Sequence, residues 1–257
     1  MSVYVECHGQ GADLVLVHGW GMNGAVWEPL VAQLSCHFRL HIVDLPGFGD
    51  SAALPLNASL DEWASAVLNV VPEHAAWLGW SLGGLVATQA ALQAPNRVSH
   101  LLTLASSPCF VAREQWPGIK PHVLASFAEQ LAQDSQLVIK RFLALQAMGS
   151  EHAKADVRQL RTSLATKPQP QAQALVGGLN LLAEVDLRAH LFNLTMPCLR
   201  LYGHLDALVP YQAIPLIEAL MAPNNRQHCI AQRASHAPFI SHPQLIAAEV
   251  SAFLRSV

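Results

Sequence analysis

The chain has 257 residues, of which 52% are hydrophobic and 13% are charged. Because ordinary domains carry about 25% charged residues, this composition predicts one globular domain with a large core. A net charge of -3 gives no reason to expect nucleic-acid or membrane binding, and the apolar runs are too short for a transmembrane helix. The five cysteines are widely spaced without a C-x-x-C pair, which argues against disulfides and a zinc site. With no signal-peptide pattern in the first residues, we expect a cytoplasmic monomer.

Strand and helix patterns alternate through residue 108. Continuous apolar runs are typical of strands buried on both faces of a parallel sheet. The predicted strands lie at 3–6, 14–17, 40–43, 77–80 and 101–104, and helices follow residue 23 and cover 60–70 and 85–92. This alternation predicts an α/β protein with helices on both faces of its sheet.

The pattern then becomes purely helical before the alternation resumes. Helical periodicity covers four segments, near 121–133, 135–148, 151–165 and 171–183, and the later strands and helices fall at 198–202, 214–220, 227–230 and 244–254. We therefore predict a core formed by residues 1–108 and 188–257. Residues 109–187 form a helical cap inserted into that domain.

A G-x-S-x-G pattern covers residues 79–83, between an apolar strand and an Ala/Leu-rich helix. In this pattern the serine lies on a tight strand-to-helix turn, for which the flanking positions must be small. The helix N-terminus then stabilises negative charge that develops beside the serine oxygen. Ser81 is the candidate nucleophile.

A serine nucleophile requires a base, and the base requires an acid that orients it. Asp206 follows the strand at 198–202, and His236 follows the last predicted strand. Together with Ser81 they give the order Ser, Asp, His beyond the carboxyl ends of strands. His242 is an alternative base but is expected to cap the last helix, and His204 is expected either to orient the loop around Asp206 or to be solvated. Taken singly, each of these residues could equally be a turn or solvated residue.

Two main-chain amides are candidates for the oxyanion hole. One is that of Leu82, which directly follows the nucleophile, and the other is that of Trp20, in the His-Gly-Trp-Gly loop after an early strand. Each such donor contributes about 3 kcal/mol in the transition state. The Trp20 side chain is predicted either to fill the core or to line the pocket.

Several motifs resemble those of the α/β-hydrolases, and more narrowly those of biotin-pathway esterases that cleave the methyl ester of pimeloyl-acyl-carrier protein. The motifs are HGWG at 18–21, DLPGFG at 44–49, WLGWSLGGLVA at 77–87, ASSPCF at 105–110, WPGIKP at 116–121, RFLALQ at 141–146 and SHAPFISHP at 235–243. The resemblance implies the α/β-hydrolase fold, a mostly parallel sheet of about seven strands with a cap after the sixth-strand region. It also implies the triad Ser81, Asp206 and His236, and substrate contacts from His236, Trp20, Leu82, Phe142 and Gln146. Neither a metal ion nor an organic cofactor is needed for such a hydrolysis.

Basic residues are concentrated in the predicted cap. Between residues 137 and 167 lie Lys140, Arg141, Lys154, Arg158, Arg161 and Lys167, opposed only by Glu151 and Asp156. Lys154, Arg158 and Arg161 are spaced to share one helix face. This face is either solvated or a docking site, with Arg141, for an acidic acyl-carrier protein.

Other functions on the same scaffold remain open. A broad-specificity short-chain carboxylesterase, a lactonase or a C–C hydrolase would use the same triad. A non-catalytic ligand-binding protein is a further alternative, since some receptors have this fold. A haloalkane dehalogenase is disfavoured because Ser81 occupies the position at which that enzyme has an aspartate.

Overall fold

The structure is a computed structural model, and it describes residues 3–255. Its centre is a seven-stranded sheet with the spatial order β1-β3-β2-β4-β5-β6-β7. The strands are β1 Val5–His8, β2 Ala12–Val17, β3 Phe38–Val43, β4 Ala75–Trp80, β5 Val98–Leu104, β6 Cys198–Gly203 and β7 Gln227–Ala231. Only β1 runs antiparallel to its neighbour, β3. The predicted α/β class with a mostly parallel sheet is confirmed.

Ten α-helices accompany the sheet in the described part of the chain. They are α1 Glu28–Leu34, α2 Leu60–Leu68, α3 Leu82–Gln93, α4 Pro121–Leu131, α5 Ser135–Gln146, α6 Ala153–Ala165, α7 Ala172–Glu184, α8 Ile214–Ala219, α9 Pro238–Ser241 and α10 Pro243–Arg255. The start of α2 illustrates how the sequence sets a boundary: the Ser59 side chain accepts from the Glu62 amide, and the Glu62 side chain accepts from the Ser59 amide.

Four consecutive helices, α4 to α7, lie between β5 and β6. Five strands therefore precede this insertion, so its expected place after a sixth strand is wrong for this chain. The physical reason is that the segment after β5 pairs only through isolated bridges, Val111 with Ile119 and Arg113 with Trp116, which are too short to form a strand. We propose 109–187 as the cap and the rest as the core; residues 1, 2, 256 and 257 of that core lie outside the described residues.

The cap is bound to the core through a charged side chain and a main-chain hydrogen bond. Lys167, between α6 and α7, places its Nζ 2.9 Å from Oδ2 of the fully buried Asp44 and 3.4 Å from Oδ2 of Asp50. The main-chain amide of Gln171 donates a hydrogen bond to the main-chain carbonyl of Gly47 at 2.9 Å. This side of the cap is thus bound to the loop that follows β3.

Candidate active site

Ser81 lies in a strained turn between β4 and α3. Its φ of 56° and ψ of -120° fall in a region that residues with a side chain rarely adopt. A Cβ at Gly79 would lie 2.2 Å from the Gly83 carbonyl oxygen, and a Cβ at Gly83 would lie 2.2 Å from that of Val17. Only glycine permits these approaches, which place Ser81 at the positive end of α3.

The structure brings Ser81, His236 and Asp206 together in one hydrogen-bonded chain. The Ser81 Oγ lies 2.9 Å from His236 Nε2, and His236 Nδ1 lies 2.8 Å from Asp206 Oδ2. The other Asp206 oxygen accepts from the amides of Leu208 and Val209. These contacts assign the proton of neutral His236 to Nδ1, so that Nε2 can accept the proton of the serine hydroxyl.

All three side chains are closed off from solvent. Ser81 is 1% exposed, Asp206 is 5% exposed and His236 is fully buried. In such a low-dielectric setting, fixed hydrogen-bond donors and dipoles act more strongly on developing charge than they would in water.

Two residues that the sequence analysis did not single out hold this arrangement in place. Trp80 Nε1 donates to the main-chain carbonyl of His236 at 2.8 Å. Ser106 Oγ donates to the Ser81 carbonyl at the same distance. The motif itself offered no signal for either role, since any residue can occupy the position of Trp80 within G-x-S-x-G.

The His236 loop is bonded directly to the cap. The His236 amide donates to the Gln146 carbonyl at 3.1 Å, and Ser235 Oγ lies 2.8 Å from both the Gln146 and the Met148 carbonyl oxygens. The Gln146 side chain is fully buried, and neither its oxygen nor its nitrogen has a hydrogen-bond partner within the described chain. Burying an amide group without a hydrogen bond reduces the free energy of unfolding, so the unpaired Gln146 side chain requires an explanation.

Trp20 lies between core and cap. Its Nε1 donates to the Leu175 carbonyl of α7 at 2.8 Å, and its ring meets Phe142 of α5 edge-to-face with centroids 4.7 Å apart. A Cβ at Gly178 of α7 would approach Trp20 Cδ1 to 2.8 Å and Leu82 Cδ2 to 3.1 Å. Three of the residues expected to contact substrate therefore share one apolar region between core and cap.

The loop that carries Trp20 also abuts the candidate nucleophile. A Cβ at Gly19 would lie 3.1 Å from the Ser81 Cβ. His18 fixes this loop, because its Nδ1 donates to the Gly19 carbonyl at 2.8 Å and its Nε2 accepts from the Leu45 amide at 2.9 Å. Burial lowers the pKa of His18 to about 4, so the ring is neutral near pH 7.

The basic residues of the cap are largely exposed. Lys140 and Arg141 lie on α5, Lys154, Arg158 and Arg161 lie on α6, and all five are exposed. The two acidic residues of the segment 137–167 do not balance them: Asp156 is buried and bonded to Ser150, and Glu151 pairs with Arg233. Lys167 differs from these five exposed residues, because its Nζ forms an ion pair with Asp44.

Two further histidines do not take part in this chain of hydrogen bonds. The His204 ring stacks on Tyr211 with centroids 4.6 Å apart, and His242 Nδ1 contacts Ser241 Oγ at 2.8 Å. The ring bonded to Ser81 is that of His236.

A family model described as the alpha/beta hydrolase fold matches residues 14–243. The chain belongs to the alpha/beta hydrolase family. The hydrolase is 58% identical over 245 residues to the pimeloyl-[acyl-carrier protein] methyl ester esterase of Aeromonas hydrophila, covering 95% of this chain and 96% of that protein. It is 51% identical to the protein of the same name from Aliivibrio salmonicida, covering 99% of this chain and 96% of that one. The expected family resemblance is confirmed.

Solved structures share the fold at lower identity. An esterase from Exiguobacterium antarcticum superimposes on the hydrolase with a TM-score of 0.85 at 22% identity, covering 99% of this chain and 96% of the other. A thermophilic esterase from Thermogutta terrifontis gives a TM-score of 0.81 at 21% identity, covering 98% and 93%. At these identities the likeness establishes the fold alone.

Among residues 3–255, no group of at least three His, Cys, Asp or Glu side chains is placed so that it could hold a metal ion. Within the same residues, no helix is long and apolar enough to cross a membrane.

Proposed function

We propose that this hydrolase cleaves the methyl ester of a pimeloyl group carried by acyl-carrier protein, freeing the terminal carboxylate and methanol during biotin synthesis. The observation that carries the proposal is the hydrogen-bonded chain Ser81–His236–Asp206 at the junction with a basic cap. The names of the relatives at 51% and 58% identity agree with it. The proposed setting is the cytoplasm, and the proposed state is a monomer.

The reaction begins at the Ser81 oxygen. His236 Nε2 takes the hydroxyl proton while Oγ attacks the ester carbonyl carbon, and Asp206 stabilises the resulting imidazolium. The tetrahedral intermediate collapses, His236 returns the proton to methoxide, and methanol leaves. Water, deprotonated by the same ring, then hydrolyses the acyl-enzyme and releases the acid. The oxyanion is assigned to the amide of Leu82, the first residue of α3, and to that of Trp20, whose loop abuts Ser81.

The apolar surroundings favour a substrate whose carboxyl end is neutral. Trp20, Leu82 and Phe142 are each buried and meet between core and cap. A methyl ester enters such a site without the cost of desolvating a charge, whereas the product is a carboxylate. Burial of that new charge weakens product binding and promotes release. The unpaired Gln146 amide supplies a hydrogen-bonding group for the polar part of the acyl arm.

The exposed basic surface on α5 and α6 is the proposed docking site for the carrier protein. Its members are Arg141, Lys154, Arg158 and Arg161, with Lys140 beside them. An acidic partner is attracted to such a surface, which raises the rate of association and orients the acyl arm toward the site.

The proposed nucleophile is tested with Ser81→Ala. We expect hydrolysis of both a carrier-bound methyl ester and a small p-nitrophenyl ester to fall by at least about 10³-fold, since the oxyanion hole alone leaves only residual catalysis. The thermal unfolding midpoint checks that the variant is folded. Activity retained in a folded Ser81→Ala protein would contradict the assignment.

The docking site is tested separately with Lys154→Glu combined with Arg158→Glu. We expect kcat/KM for the carrier-bound ester to fall by about tenfold or more while the small ester is hydrolysed normally. Added salt should reproduce this selectivity in the unmodified protein. Arg255→Glu is the matched control, because Arg255 is exposed but lies on α10 outside the cap. Equal losses on both substrates would remove the docking role.

A further inference from the structure

A second cluster of nucleophilic and titratable side chains lies at the edge of the sheet. Cys7 of β1 is directly opposite His41 of β3, and Asp13 of β2 is directly opposite Arg39 of the same β3 strand. Directly paired residues share a face of a sheet, as do residues two apart on one strand. The four side chains therefore project from the same face.

The contacts within this cluster follow the order nucleophile, base and acid. The Cys7 Sγ lies 3.3 Å from His41 Nδ1, and His41 Nε2 lies 2.5 Å from Asp13 Oδ1. Asp13 is ionised and accepts two hydrogen bonds from Arg39, at 2.6 Å and 2.8 Å. Those bonds are the main reason that the pKa of Asp13 is lowered to about 2. The His41 proton is thus assigned to Nε2, leaving Nδ1 to accept the thiol proton.

Accessibility distinguishes Cys7 from most other cysteines of the chain. Cys7 is exposed at the sheet edge, while the His41 side chain is only 10% exposed and that of Asp13 is 18% exposed. Cys109 and Cys198 are buried, and burial raises the pKa of Cys198 to about 12. Cys36 is exposed like Cys7, but its thiol contacts only the Gln33 carbonyl, at 3.5 Å.

The charged groups around Cys7 lie on this edge of the sheet, apart from Lys167 between α6 and α7, whose Nζ lies 4.0 Å from Glu6 Oε2. Arg39, on the same face, is held by its two hydrogen bonds to Asp13, which are the main reason that the pKa of Arg39 is raised. Glu6 and His8, the neighbours of Cys7 on β1, pair with each other at 2.7 Å. They point to the opposite face because side chains alternate along a strand.

We propose that Cys7, His41 and Asp13 form a second nucleophilic site, at which a small disulfide transfers half of itself to Cys7. The Cys7 proton passes to His41 Nδ1, and the thiolate sulfur attacks one sulfur of the disulfide. A new S–S bond forms as the old one breaks, and the departing thiolate takes the proton from His41. The products are a mixed disulfide on Cys7 and one free small thiol. In the sheet, β3 and β2 separate β1 from β4, which leads to Ser81, so this site is independent of ester hydrolysis.

The test uses 4,4′-dithiodipyridine on the full-length protein at about pH 6.5, where an unactivated thiol is mostly protonated. Peptide mass spectrometry after timed quenching gives separate rates for Cys7 and Cys36. We expect Cys7 to react at least about tenfold faster than Cys36. His41→Gln should reduce this ratio to about one, and Asp13→Asn should reduce it in part, because the base then loses its orienting acid.

Folding and assignment are checked in the same samples. Hydrolysis of a p-nitrophenyl ester should be unchanged in each variant, which shows that the sheet is intact. Cys7→Ser, a small change at an exposed position, should eliminate the fast phase and leave the Cys36 phase as it was. Any one of three results would overturn the proposal. These are equal rates at Cys7 and Cys36, a rate ratio that is unchanged in both His41→Gln and Asp13→Asn, and a fast phase that persists in Cys7→Ser.

Discussion

The main-chain amide of His236 donates a hydrogen bond to the carbonyl oxygen of Gln146, 3.1 Å away at the end of α5. The proposed catalytic base is therefore positioned partly by the cap, although the two residues are far apart in the chain. Ser235 strengthens the same junction through its contacts with the Gln146 and Met148 carbonyls. A cap that moved as a rigid body away from the core would have to break this junction or carry the His236 loop with it.

Removing the Ser235 hydroxyl should disturb this junction while leaving the triad side chains present. In Ser235→Ala the Gln146 and Met148 carbonyls lose the one hydroxyl donor that they share, and the contact with Gln146 is buried, so we expect a loss of about 1–2 kcal/mol in the free energy of unfolding. The His236 ring should also be less well held, so kcat should fall more than KM rises. Urea unfolding and steady-state kinetics on a small ester measure the two effects. Unchanged kcat in a destabilised protein would mean that the junction supports the fold and not the base.

Two adjacent glycines of α7 allow a matched test of the apolar site. A Cβ at Gly178 would lie 2.8 Å from Trp20 Cδ1, whereas one at Gly177 would lie 3.3 Å or more from its neighbours, Leu56 and Trp63. Gly178→Ala should displace the Trp20 ring, which is held by Leu175 and Phe142, and lower kcat/KM. Gly177→Ala should retain activity and gain up to about 1 kcal/mol from helix propensity. If both variants hydrolyse ester equally well, the position of Trp20 does not limit the reaction.

Much of the architecture follows from short-range sequence patterns. The unbroken apolar runs that became β2, β4 and β5 could be recognised as buried strands, because each is flanked by turn residues. The four cap helices were equally accessible, since each shows helical periodicity between Pro, Gly or Ser/Asp breaks. Family membership was evident from contiguous motifs. The cap follows five strands and not six, because the segment after β5 pairs only through isolated bridges.

Contacts between segments that are far apart in the chain could not be predicted from the sequence. Trp80 binds the carbonyl of His236 from a position that the motif treats as free, and nothing local to either residue indicates the other. The Cys7–His41 contact depends on the register between β1 and β3, which a shift of one residue would abolish by turning one side chain to the opposite face. Such relationships arise from packing of the whole sheet. The roles assigned to Ser81, Asp206 and His236 stay predictions, supported by their geometry.

The buried ring of His18 should make stability depend on pH. Burial lowers its pKa in the folded protein from 6.5 to about 4, so the unfolded chain binds more protons between those values. Its contribution is therefore fully present above about pH 6.5 and is lost as the pH falls toward 4, with a total on the order of 3 kcal/mol. His18→Gln should flatten the stability profile in this window. His122→Gln, on the exposed surface of α4, should leave the profile unchanged, and a profile equally steep in His18→Gln would refute the assignment.

The ion pair between Lys167 and Asp44 should contribute far more to the free energy of unfolding than an exposed pair that also joins cap and core. Asp44 is fully buried, and Lys167→Met leaves its carboxylate without a counter-charge, so we expect a loss of about 3 kcal/mol in the free energy of unfolding. Adding Asp44→Asn should restore part of it, since the buried charge is then gone. The amide of Asp50 donates to the second oxygen of Asp44, and in Asn an NH2 group takes the place of one oxygen, which limits the recovery.

Arg233 and Glu151 supply the control for this prediction. They also join core and cap, at 3.3 Å, but their side chains are 74% and 55% exposed. Solvent screens such a pair, so Arg233→Ala should cost at most about 0.5 kcal/mol. Urea unfolding of the Lys167→Met, Lys167→Met/Asp44→Asn and Arg233→Ala proteins gives the comparison. Of the two pairs, only the Lys167 pair removes a charge from water. If Lys167→Met and Arg233→Ala lose similar amounts of the free energy of unfolding, burial of Asp44 does not set the strength of the attachment.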